Sequence, residues 1–462
     1  MTRLGRVPQV VRALRAASEL ESHDAWDADR LAAFQQQRLV AMVRHAADHS
    51  PFHRERFAGI ELADDLDITA LPTLDKALML EHFDDLVTDP RLTLAGIEAH
   101  LADLEGRHGG DDLLLGDYRA MASGGTTGRR GVFVYSRADW TPILGGVLRW
   151  LGGDLGTTPQ LPRRMRQAVV VADSPLHMSA RMSRSIDIGL HHMLRLDART
   201  PIPDLVRALN AFQPEGLATF PSVAALLADE QLAGRLHISP RVVSTTSEVR
   251  TADMERRIIA AWGTHPFNGY ASTETGILAA ECDRHTGLHV FTDQAVFEVV
   301  DDAGRPVVPG TPGTRVLVTN LVNHTQPLIR FELTDLVTVS PEPCPCGRPF
   351  PLLQAIDGRS DDVLRMPGRD GVPVAVHPLT LRSPLAGIPA LRQYRIVHDH
   401  AGLTIEAVLA SDQADAAATI EHRLHDALAA RGVAPTAITV TPVTAITRHP
   451  GSGKAKLIES RV

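Results

Sequence analysis

The chain has 462 residues, of which 44% are hydrophobic and 22% charged, and its formal net charge is −8. This length exceeds one ordinary core and predicts two to four globular domains. The net negative charge argues against a general nucleic-acid binder, which usually has a basic surface. A local basic pocket is still compatible with this net charge. No segment reaches the ~18 uninterrupted apolar residues of a membrane helix, and the first residues carry no apolar run of signal-peptide length. We therefore expect a cytoplasmic protein without a membrane partner.

Helical spacing marks the first part of the chain. Over residues 31–49 apolar side chains recur on one helix face, and Ser50 followed by Pro51 ends the pattern. Residues 71–76 (LPTLDK) have the composition of a turn. We predict a helix over 31–49 and another helix after the turn.

Residues 121–131 (MASGGTTGRRG) combine four glycines, three hydroxyl side chains and two arginines. Glycines expose backbone N–H groups and permit positive φ, while hydroxyls and arginines donate hydrogen bonds, so this composition suits a phosphate group. The alternative is an ordinary surface hairpin before residues 132–135 (VFVY), because such turns are common.

Two standard nucleotide loops do not match the sequence. The 121–131 loop lacks the lysine of G-x-x-x-x-G-K-[ST] and also the G-x-G-x-x-G pattern. The segment before Lys454 has Arg448 in place of the first glycine and Ala455 in place of the hydroxyl. Neither a P-loop kinase or ATPase nor a dinucleotide-binding dehydrogenase is supported.

From about residue 165 the chain alternates short apolar runs with helical patterns. The runs at 168–172, 216–220, 242–245 and 266–270 predict buried parallel strands with helices on both faces. Runs at 295–300 and 314–319 flank a connection rich in glycine and proline, which favours antiparallel strands.

The last hundred residues have the pattern of a separate small α+β unit. Strands are predicted at 394–397, 403–409 and 438–443, and a helix at 414–430. Residues 358–362 (GRSDD) are polar and begin with glycine, so we place a boundary there. The predicted domains are residues 1–357 and 358–462.

Five segments, in this order, resemble motifs of the adenylate-forming superfamily, which includes acyl- and aryl-CoA synthetases, adenylation domains and luciferases. They are residues 123–128 (SGGTTG), 268–274 (NGYASTE), 327–336 (PLIRFELTDL), 358–362 (GRSDD) and 451–454 (GSGK). Independent turns should not reproduce one family's order, so the set carries more weight than any member.

One branch of the superfamily is most similar to this sequence, the phenylacetate-CoA ligase and coenzyme F390 synthetase-like branch. Residues 50–56 (SPFHRER), 281–282 (EC), 287–289 (GLH) and 344–348 (CPCGR) are typical of it. The resemblance covers nearly the whole chain. It implies an α/β fold with a large N-terminal domain of mixed and parallel sheets, helices and an antiparallel β subdomain, and a small mobile C-terminal α+β domain.

The resemblance also implies roles for individual residues. The predicted catalytic residues are Lys454, Glu274 and Thr273, with Glu274 also holding Mg²⁺ and Asp361 serving as the hinge. Asp335 and Arg359 would bind the ribose hydroxyls. The complete predicted ATP site consists of Ser123, Gly124, Gly125, Thr126, Thr127, Gly128, Ser247, Glu248, Asn268, Tyr270, Ala271, Ser272, Asp335 and Arg359. Taken singly, each could be a cap, a turn residue or a solvated side chain.

Three positions depart from the family pattern. Arg129 and Arg130 stand where relatives place lysine and proline, Leu333 and Thr334 precede Asp335 without the usual glycine, and Ala271 replaces glycine. Charge is kept in the first case, but Arg and Lys bind phosphate with different geometry. Residues 147–151 and 220–222 are candidates for an acyl pocket, with core packing as the alternative.

By resemblance, the chain uses ATP and Mg²⁺ to adenylate a carboxylic acid, expected to be aromatic, such as phenylacetate, benzoate or an amino- or hydroxybenzoate. The acyl group would pass to CoA, with a carrier-protein thiol, an amine or a hydroxyl as alternatives. A non-catalytic ligand-binding member of the fold is a further alternative, against which Lys454, Glu274 and Asp335 argue. The branch often forms dimers, so a homodimer is a further expectation.

The three cysteines, Cys282, Cys344 and Cys346, lie in two segments that the family brings together. Such a small odd number does not suggest a disulfide framework. With a histidine they form a Cys₃His set, which is typical of closed structural zinc sites. His289 is the preferred fourth ligand and His285 the substitute. The alternative is three buried reduced thiols.

Overall fold

A computed structural model describes residues 3–105, 113–123, 130–152, 165–187, 189, 191–410, 415–449 and 453–462. Its helices are α1 Arg3–Ser22, α2 Ala28–His49, α3 Pro51–Arg56, α4 Lys76–Glu81, α5 Phe83–Leu86, α6 Leu94–Glu105, α7 Arg137–Gly152, α8 Met178–Ser185, α9 Ile202–Phe212, α10 Pro221–Leu232, α11 Ala252–Trp262, α12 Pro378–Arg382 and α13 Ala416–Ala430. No helix in these ranges is both long and apolar enough to cross a membrane.

The strands follow in the same chain order. They are β1 Arg119–Ala122, β2 Val132–Tyr135, β3 Arg166–Val171, β4 His192–Asp197, β5 Gly216–Thr219, β6 Val242–Thr246, β7 Phe267–Ser272, β8 Gly276–Glu281, β9 Leu288–Val290, β10 Ala295–Val300, β11 Arg315–Asn320, β12 Phe331–Leu333, β13 Asp335–Val339, β14 Leu352–Arg359, β15 Leu364–Pro367, β16 Pro373–Val376, β17 Leu391–Asp399, β18 Gly402–Leu409, β19 Ile438–Pro442 and β20 Ile458–Ser460. The chain is therefore a mixed α/β protein, as predicted.

Capping side chains fix where the early helices begin. The carboxylate of Asp27 accepts from Arg30 N at 2.7 Å at the start of α2, and Asp75 accepts from Leu78 N at 2.8 Å at the start of α4. Such caps satisfy N–H groups that have no partner within the helix. The helix predicted over 31–49 is confirmed, with three more residues at its start, and the turn at 71–76 leads into α4 as expected.

A large mixed sheet organises the fold, with the described strands in the order β13-β14-β9-β8-β7-β6-β5-β3-β4. Strands β3 to β7 pair in parallel, and the pairings from β7 through β8, β9 and β14 to β13 are antiparallel. The carboxyl ends of β5, β6 and β7 therefore meet at one edge, where ligands of open α/β sheets usually bind. The predicted parallel strands are confirmed.

Two smaller sheets complete this part of the molecule. Strands β10, β11 and β12 form an antiparallel sheet, and β1 pairs with β2 in a hairpin. The antiparallel strands predicted at 295–300 and 314–319 are thus confirmed. The hairpin places the glycine-rich segment between its two strands.

The C-terminal unit, by which we mean residues 358–462, has its own hydrophobic core. Strands β19, β18, β17 and β20 form a four-stranded sheet, against which α13 packs. Apolar side chains of these elements form one cluster that includes Ile396, Ile405, Ile420, Leu424 and Leu428. The domain division at residue 358 stays a prediction, because β14 of the large sheet runs through Gly358 to Arg359.

Candidate active site

A cavity of ≈ 1470 Å³ lies over the carboxyl ends of β5, β6 and β7 and reaches the C-terminal unit. Side chains alternate along a strand, so one face of the sheet supplies one wall of this cavity. That wall includes Val169, Val171, Ala218, Ser244, Thr246, Asn268 and Tyr270. Helix α7 supplies Val147, Leu148, Trp150 and Leu151, and the β5–α10 junction supplies Phe220 and Ser222. The candidate acyl-pocket segments therefore face this cavity.

Asp335 and Arg359 are direct neighbours across the antiparallel β13–β14 pair. The Tyr270 hydroxyl donates to Asp335 Oδ2 at 2.8 Å, and Arg359 Nε donates to Thr334 Oγ1 at 3.0 Å. Burial raises the pKa of Asp335, while the charge of Arg359 and the Tyr270 hydrogen bond oppose this rise. Asp335 and Arg359 thus present an acceptor and a donor side by side at the cavity.

Glu274 lies in the turn between β7 and β8, and backbone contacts hold that turn. The Tyr135 hydroxyl donates to the Thr273 carbonyl at 2.6 Å, and Asn320 Nδ2 donates to the Glu274 carbonyl at 2.9 Å. Burial raises the pKa of the Glu274 carboxyl, with Ser272 and Arg359 among the groups that lower it. A carboxylate at this position is compatible with the predicted Mg²⁺, which commonly binds through one or two carboxylates and substrate phosphates.

Lys454 brings the C-terminal unit to the same cavity. Its Nζ lies 5.9 Å from the centre of the Phe220 ring. Burial lowers the pKa of its ammonium, while the charges of Glu248, Asp335 and Glu274 oppose that effect. A lysine from the end of the chain therefore shares one electrostatic environment with acidic residues of the large sheet.

The predicted hinge residue, Asp361, lies two residues after the end of β14. Thr334 Oγ1 lies 3.3 Å from Asp361 Oδ2, and Ser360 N donates to the Thr334 carbonyl at 2.6 Å. The next residue, Asp362, pairs with Lys456 at 3.9 Å. These contacts join the segment before Asp335 to the start of the C-terminal unit.

The end of β6 contains strained backbone that the sequence did not reveal. Ser247 has φ of 71°, a left-handed conformation that residues with a side chain seldom adopt. Strain of this kind, roughly 1–3 kcal/mol, often occurs at functional sites. Nearby, Thr245 Oγ1 donates to Asn268 Oδ1 at 3.2 Å, and Ser272 Oγ lies 2.9 Å from Thr275 Oγ1. Ser247, Asn268, Ala271 and Ser272 all line the cavity, as the predicted nucleotide site requires.

The predicted phosphate loop is described only at its base. Ser123 N donates to the Gly131 carbonyl at 2.9 Å, and Gly131 N donates to Ser123 Oγ at 2.9 Å. Ser123 lines the cavity. The other predicted loop residues, Gly124, Gly125, Thr126, Thr127 and Gly128, and also Arg129, lie outside the described residues.

A second cluster lies on the antiparallel side of the large sheet. Cys282 follows β8, His289 lies in β9, and Cys344 and Cys346 lie in the connection from β13 to β14. Because β8, β9 and β14 are neighbours, their four ligand atoms come within 4.8 Å of one another. The Sγ atoms of Cys282 and Cys344 are 3.7 Å apart, and Cys346 Sγ lies 3.3 Å from His289 Nε2.

This donor set fits a tetrahedral zinc ion. Zn–S bonds of about 2.3 Å place two thiolates about 3.8 Å apart in such a site, close to the observed Cys282–Cys344 separation. Burial raises the pKa of Cys282 to about 12, so a thiolate there needs a nearby cation. His285 is not in the cluster, because its Nδ1 lies 3.5 Å from Glu281 and its ring stacks on His265.

Comparison with curated proteins gives relatives of nearly full length. Phenylacetate-coenzyme A ligase of Thermus thermophilus is 26% identical over 409 residues, which cover 82% of this chain and 81% of that protein. The enzyme of the same name from Pseudomonas putida is 25% identical over 383 residues, or 79% of this chain and 78% of that protein. No model of a known protein family matches the chain.

Solved structures share the fold. 2-Hydroxyisobutyryl-CoA ligase in its postadenylation state, with 2-HIB-AMP bound, has a TM-score of 0.70 at 22% identity, covering 92% of this chain and 89% of that one. The same enzyme with 2-HIB-AMP and CoA in the thioesterification state has a TM-score of 0.58 at 21% identity, with coverage of 95% and 91%.

The curated relatives and the shared fold point to one class of protein. They support a place for the chain in the adenylate-forming superfamily, a class of AMP-forming acid ligases. Within that superfamily it is similar to the phenylacetate-CoA ligase-like branch, with four curated relatives of that name at 24–26% identity. The sequence resemblance to this branch is therefore confirmed.

Proposed function

We propose that the chain activates an aromatic carboxylic acid with ATP, releases pyrophosphate, and transfers the acyl group from the acyl-adenylate to the thiol of CoA. The observation that carries this proposal is the position of Lys454, which shares one cavity with Glu274, Asp335 and Arg359. Lys454, and a Mg²⁺ ion that Glu274 would hold, supply the positive charge that the reaction of a carboxylate with ATP needs around its anionic centre.

Each residue has a role in this proposal. Asp335 accepts hydrogen bonds from the ribose hydroxyls and Arg359 donates to them, while Tyr270 orients Asp335 through their 2.8 Å hydrogen bond. Thr273 lies by the α-phosphate, and Ser123 together with the glycine-rich loop contacts the remaining phosphates. Glu274 would hold Mg²⁺, which supplies neutralising charge to the phosphates.

The adenylation step joins two anions. A carboxylate oxygen of the acid attacks the α-phosphorus, the bond from that phosphorus to the bridging oxygen breaks, and pyrophosphate leaves with the electron pair. The Lys454 ammonium stabilises the negative charge that builds between the carboxylate and the α-phosphate. Its mostly desolvated surroundings strengthen this interaction, because charges attract more strongly away from water.

The cavity wall supports an aromatic acid. Apolar side chains of α7 and the sheet, among them Leu148, Trp150, Met182 and Val169, line the space beside the nucleotide residues. Such a wall favours a flat apolar group, and aromatic rings bury a large area in pockets of this kind. The names of the curated relatives, phenylacetate-coenzyme A ligases, point to the same class of acid.

Acyl transfer requires Lys454 to leave the site. We propose that the C-terminal unit turns about Asp361 after adenylation and opens the adenylate to the acceptor. 2-Hydroxyisobutyryl-CoA ligase has been solved at both steps, in a postadenylation state and in a thioesterification state. The TM-scores of these two structures against this chain are 0.70 and 0.58. A carrier-protein thiol is the second candidate acceptor.

The cysteine cluster has a structural role in this proposal. Cys282, His289, Cys344 and Cys346 would hold one zinc ion with four protein ligands, which leaves no open position for a substrate. The ion would tie the connection between β13 and β14 to β8 and β9. Arg348 extends this tie, because its Nε lies 2.9 Å from Asp24 near the end of α1.

An acid panel tests the proposed function. Purified protein is incubated with ATP, Mg²⁺ and phenylacetate, substituted benzoates, or aliphatic acids, and pyrophosphate release and thioester formation are measured with and without CoA. We expect pyrophosphate release with at least one aromatic acid and a thioester only when CoA is added. A preference for aliphatic acids would overturn the aromatic assignment, and thioester formation only with a carrier protein would overturn CoA.

A further inference from the structure

Glu248 connects the large sheet to the loop that carries Lys454. It follows the strained Ser247 at the end of β6, and its two carboxylate oxygens accept from two different backbone N–H groups. Oε2 accepts from Ser222 N at 3.1 Å, in the first turn of α10. Oε1 accepts from Ala455 N at 2.8 Å, next to Lys454 and 207 residues away along the chain.

The first contact gives α10 a cap that its own residues do not provide. Phe220 is the N-cap residue of α10, and no side chain of that position makes a capping hydrogen bond. The Glu248 carboxylate takes this role, at the end of the helix where negative charge is favoured. This contact fixes Glu248 before the C-terminal unit arrives.

The second contact belongs to a short loop with its own internal bonds. His449 N donates to the Lys454 carbonyl at 2.9 Å, and Gly453 N donates to the His449 carbonyl at 2.8 Å. Arg448 Nη1 donates to the Gly453 carbonyl at 2.9 Å and to Ser222 Oγ at 3.2 Å. Arg448 and Glu248 therefore attach the same loop to the same turn of α10.

Close packing also ties this loop to the large sheet. A Cβ built on Gly453, whose φ is 68°, would lie 3.1 Å from Arg199 Cγ and 3.4 Å from Ala198 Cβ. The loop therefore meets the segment after β4 at Arg199, α10 at Ser222 and β6 at Glu248. Among these contacts, Glu248 alone brings a negative charge next to the backbone of Lys454.

From these contacts we propose that Glu248 is a positioning residue, which docks the Lys454 loop on the large domain for the adenylation step. The inference rests on the proposed function and deepens it. Glu248 also lines the cavity, so its predicted contact with the nucleotide stays a prediction beside this role. When the C-terminal unit turns for acyl transfer, the Ala455 contact breaks and the Ser222 contact remains.

Kinetic measurement of the two half-reactions tests the role. Glu248→Ala removes both acceptor oxygens, and Glu248→Gln removes only the charge. Each is compared with the control Glu230→Gln. The Glu230 carboxylate lies near the other end of α10 and pairs with Arg235. We expect Glu248→Ala to slow acid-dependent pyrophosphate exchange about ten- to a hundredfold, since a charge-assisted contact is lost. Thioester formation from supplied acyl-adenylate and CoA should not slow, and Glu230→Gln should leave both steps unchanged.

Two outcomes would overturn the role of Glu248. The first is an unchanged exchange rate in Glu248→Ala, and the second is an equal loss in both half-reactions, which would show general damage to the fold. If the wild-type chain catalyses pyrophosphate exchange with none of the acids in the panel, that result would instead contradict the proposed function.

Hydrogen exchange provides a readout that does not depend on chemistry. In the wild-type chain the Ala455 amide is bonded to Glu248, so a peptide that covers residues 453–457 should exchange slowly. Glu248→Ala should speed exchange in that peptide about tenfold, while peptides of β17 and β18 stay unchanged. Equal protection of residues 453–457 in both proteins would overturn the docking contact even if the acid is unknown.

Discussion

The ammonium of Lys454 lies 5.9 Å from the centre of the Phe220 ring, at the junction of β5 and α10. Together with the Glu248–Ala455 and Arg448–Ser222 hydrogen bonds, this contact joins the last part of the chain to the carboxyl edge of the large sheet. It places the ammonium near Glu274, Asp335 and Arg359, all of which affect the Lys454 pKa. The first prediction therefore concerns this lysine.

Lys454→Ala should lower the rate of adenylation about a hundredfold or more, because a preorganised charge at the reacting centre is lost. Acyl transfer from supplied acyl-adenylate to CoA should keep its rate, since in the proposed mechanism Lys454 leaves the site before this step. Stopped-time assays of each half-reaction measure both rates. Arg461→Ala is the control, because the ion pair of Arg461 with Glu459 in the same C-terminal unit is partly exposed, lies outside the cavity lining and should matter little. Equal losses in both half-reactions would contradict the assigned role.

Tyr270→Phe should raise the KM for ATP by roughly three- to tenfold, because Asp335 loses its 2.8 Å hydrogen bond and becomes less well oriented. The acid KM should change less. Steady-state kinetics with ATP varied provide the measurement. Tyr118→Phe removes a similar hydroxyl–carboxylate contact, at 2.5 Å from Asp89, outside the cavity. A similar rise in KM for that variant would remove the link between Tyr270 and the ribose site.

Asp362→Asn should stabilise the chain at neutral pH but not in acid. Burial raises the pKa of Asp362 to about 6, with the Lys456 and Arg359 charges opposing the shift. Because the unfolded pKa is about 3.9, the folded chain binds this proton more tightly, and stability falls as pH rises from about 4 through about 6.

The asparagine side chain does not ionise, so its gain should be roughly 1–2 kcal/mol above pH 7 and near zero below pH 4. Thermal unfolding of both proteins at the two pH values measures this difference. A gain of the same size at both would show that ionisation of Asp362 is not its source.

Purified chain should contain about one zinc ion, and Cys344→Ser should remove most of it. Elemental analysis after dialysis measures the content, and chelation should lower the melting temperature because a closed site stabilises the fold. His285→Ala should keep the metal, since His285 pairs with Glu281 outside the cluster. Metal-free wild-type protein, expressed with zinc present, would end the zinc assignment.

Regular elements with strong periodicity could be predicted from the sequence. Helix α2 buries Leu39, Val43 and Ala46 on one face, and strands β3, β5 and β6 are short apolar runs between helices. Strand β4 was missed because it lies at the sheet edge, where its sequence HMLRLD is only partly buried. Strand β8 was missed because all six of its residues are buried, which leaves no alternating pattern, and β9 was missed because it has only three residues.

Some site residues could be located from the sequence, and others only from the structure. Lys454, Glu274, Asp335 and Arg359 were located from motifs, and the structure brings them to one cavity. The contacts of Glu248 could not be foreseen, because Ser222 and Ala455 are distant in sequence and offer only backbone N–H groups. Every residue except proline has a backbone N–H group, so the amino-acid type does not reveal which of these groups will donate to a distant side chain. Ser247 gave no signal either, since its left-handed φ depends on tertiary packing.

The central claim is that a carboxylate oxygen of the acid attacks the α-phosphorus of ATP. An acid labelled with oxygen-18 in its carboxylate tests this most directly, because the attacking oxygen stays on the phosphorus when the adenylate transfers its acyl group. Mass spectrometry of the nucleotide after a single turnover with CoA should find one label in AMP and none in pyrophosphate. ADP as the product, or unlabelled AMP with label in inorganic phosphate, would contradict the account.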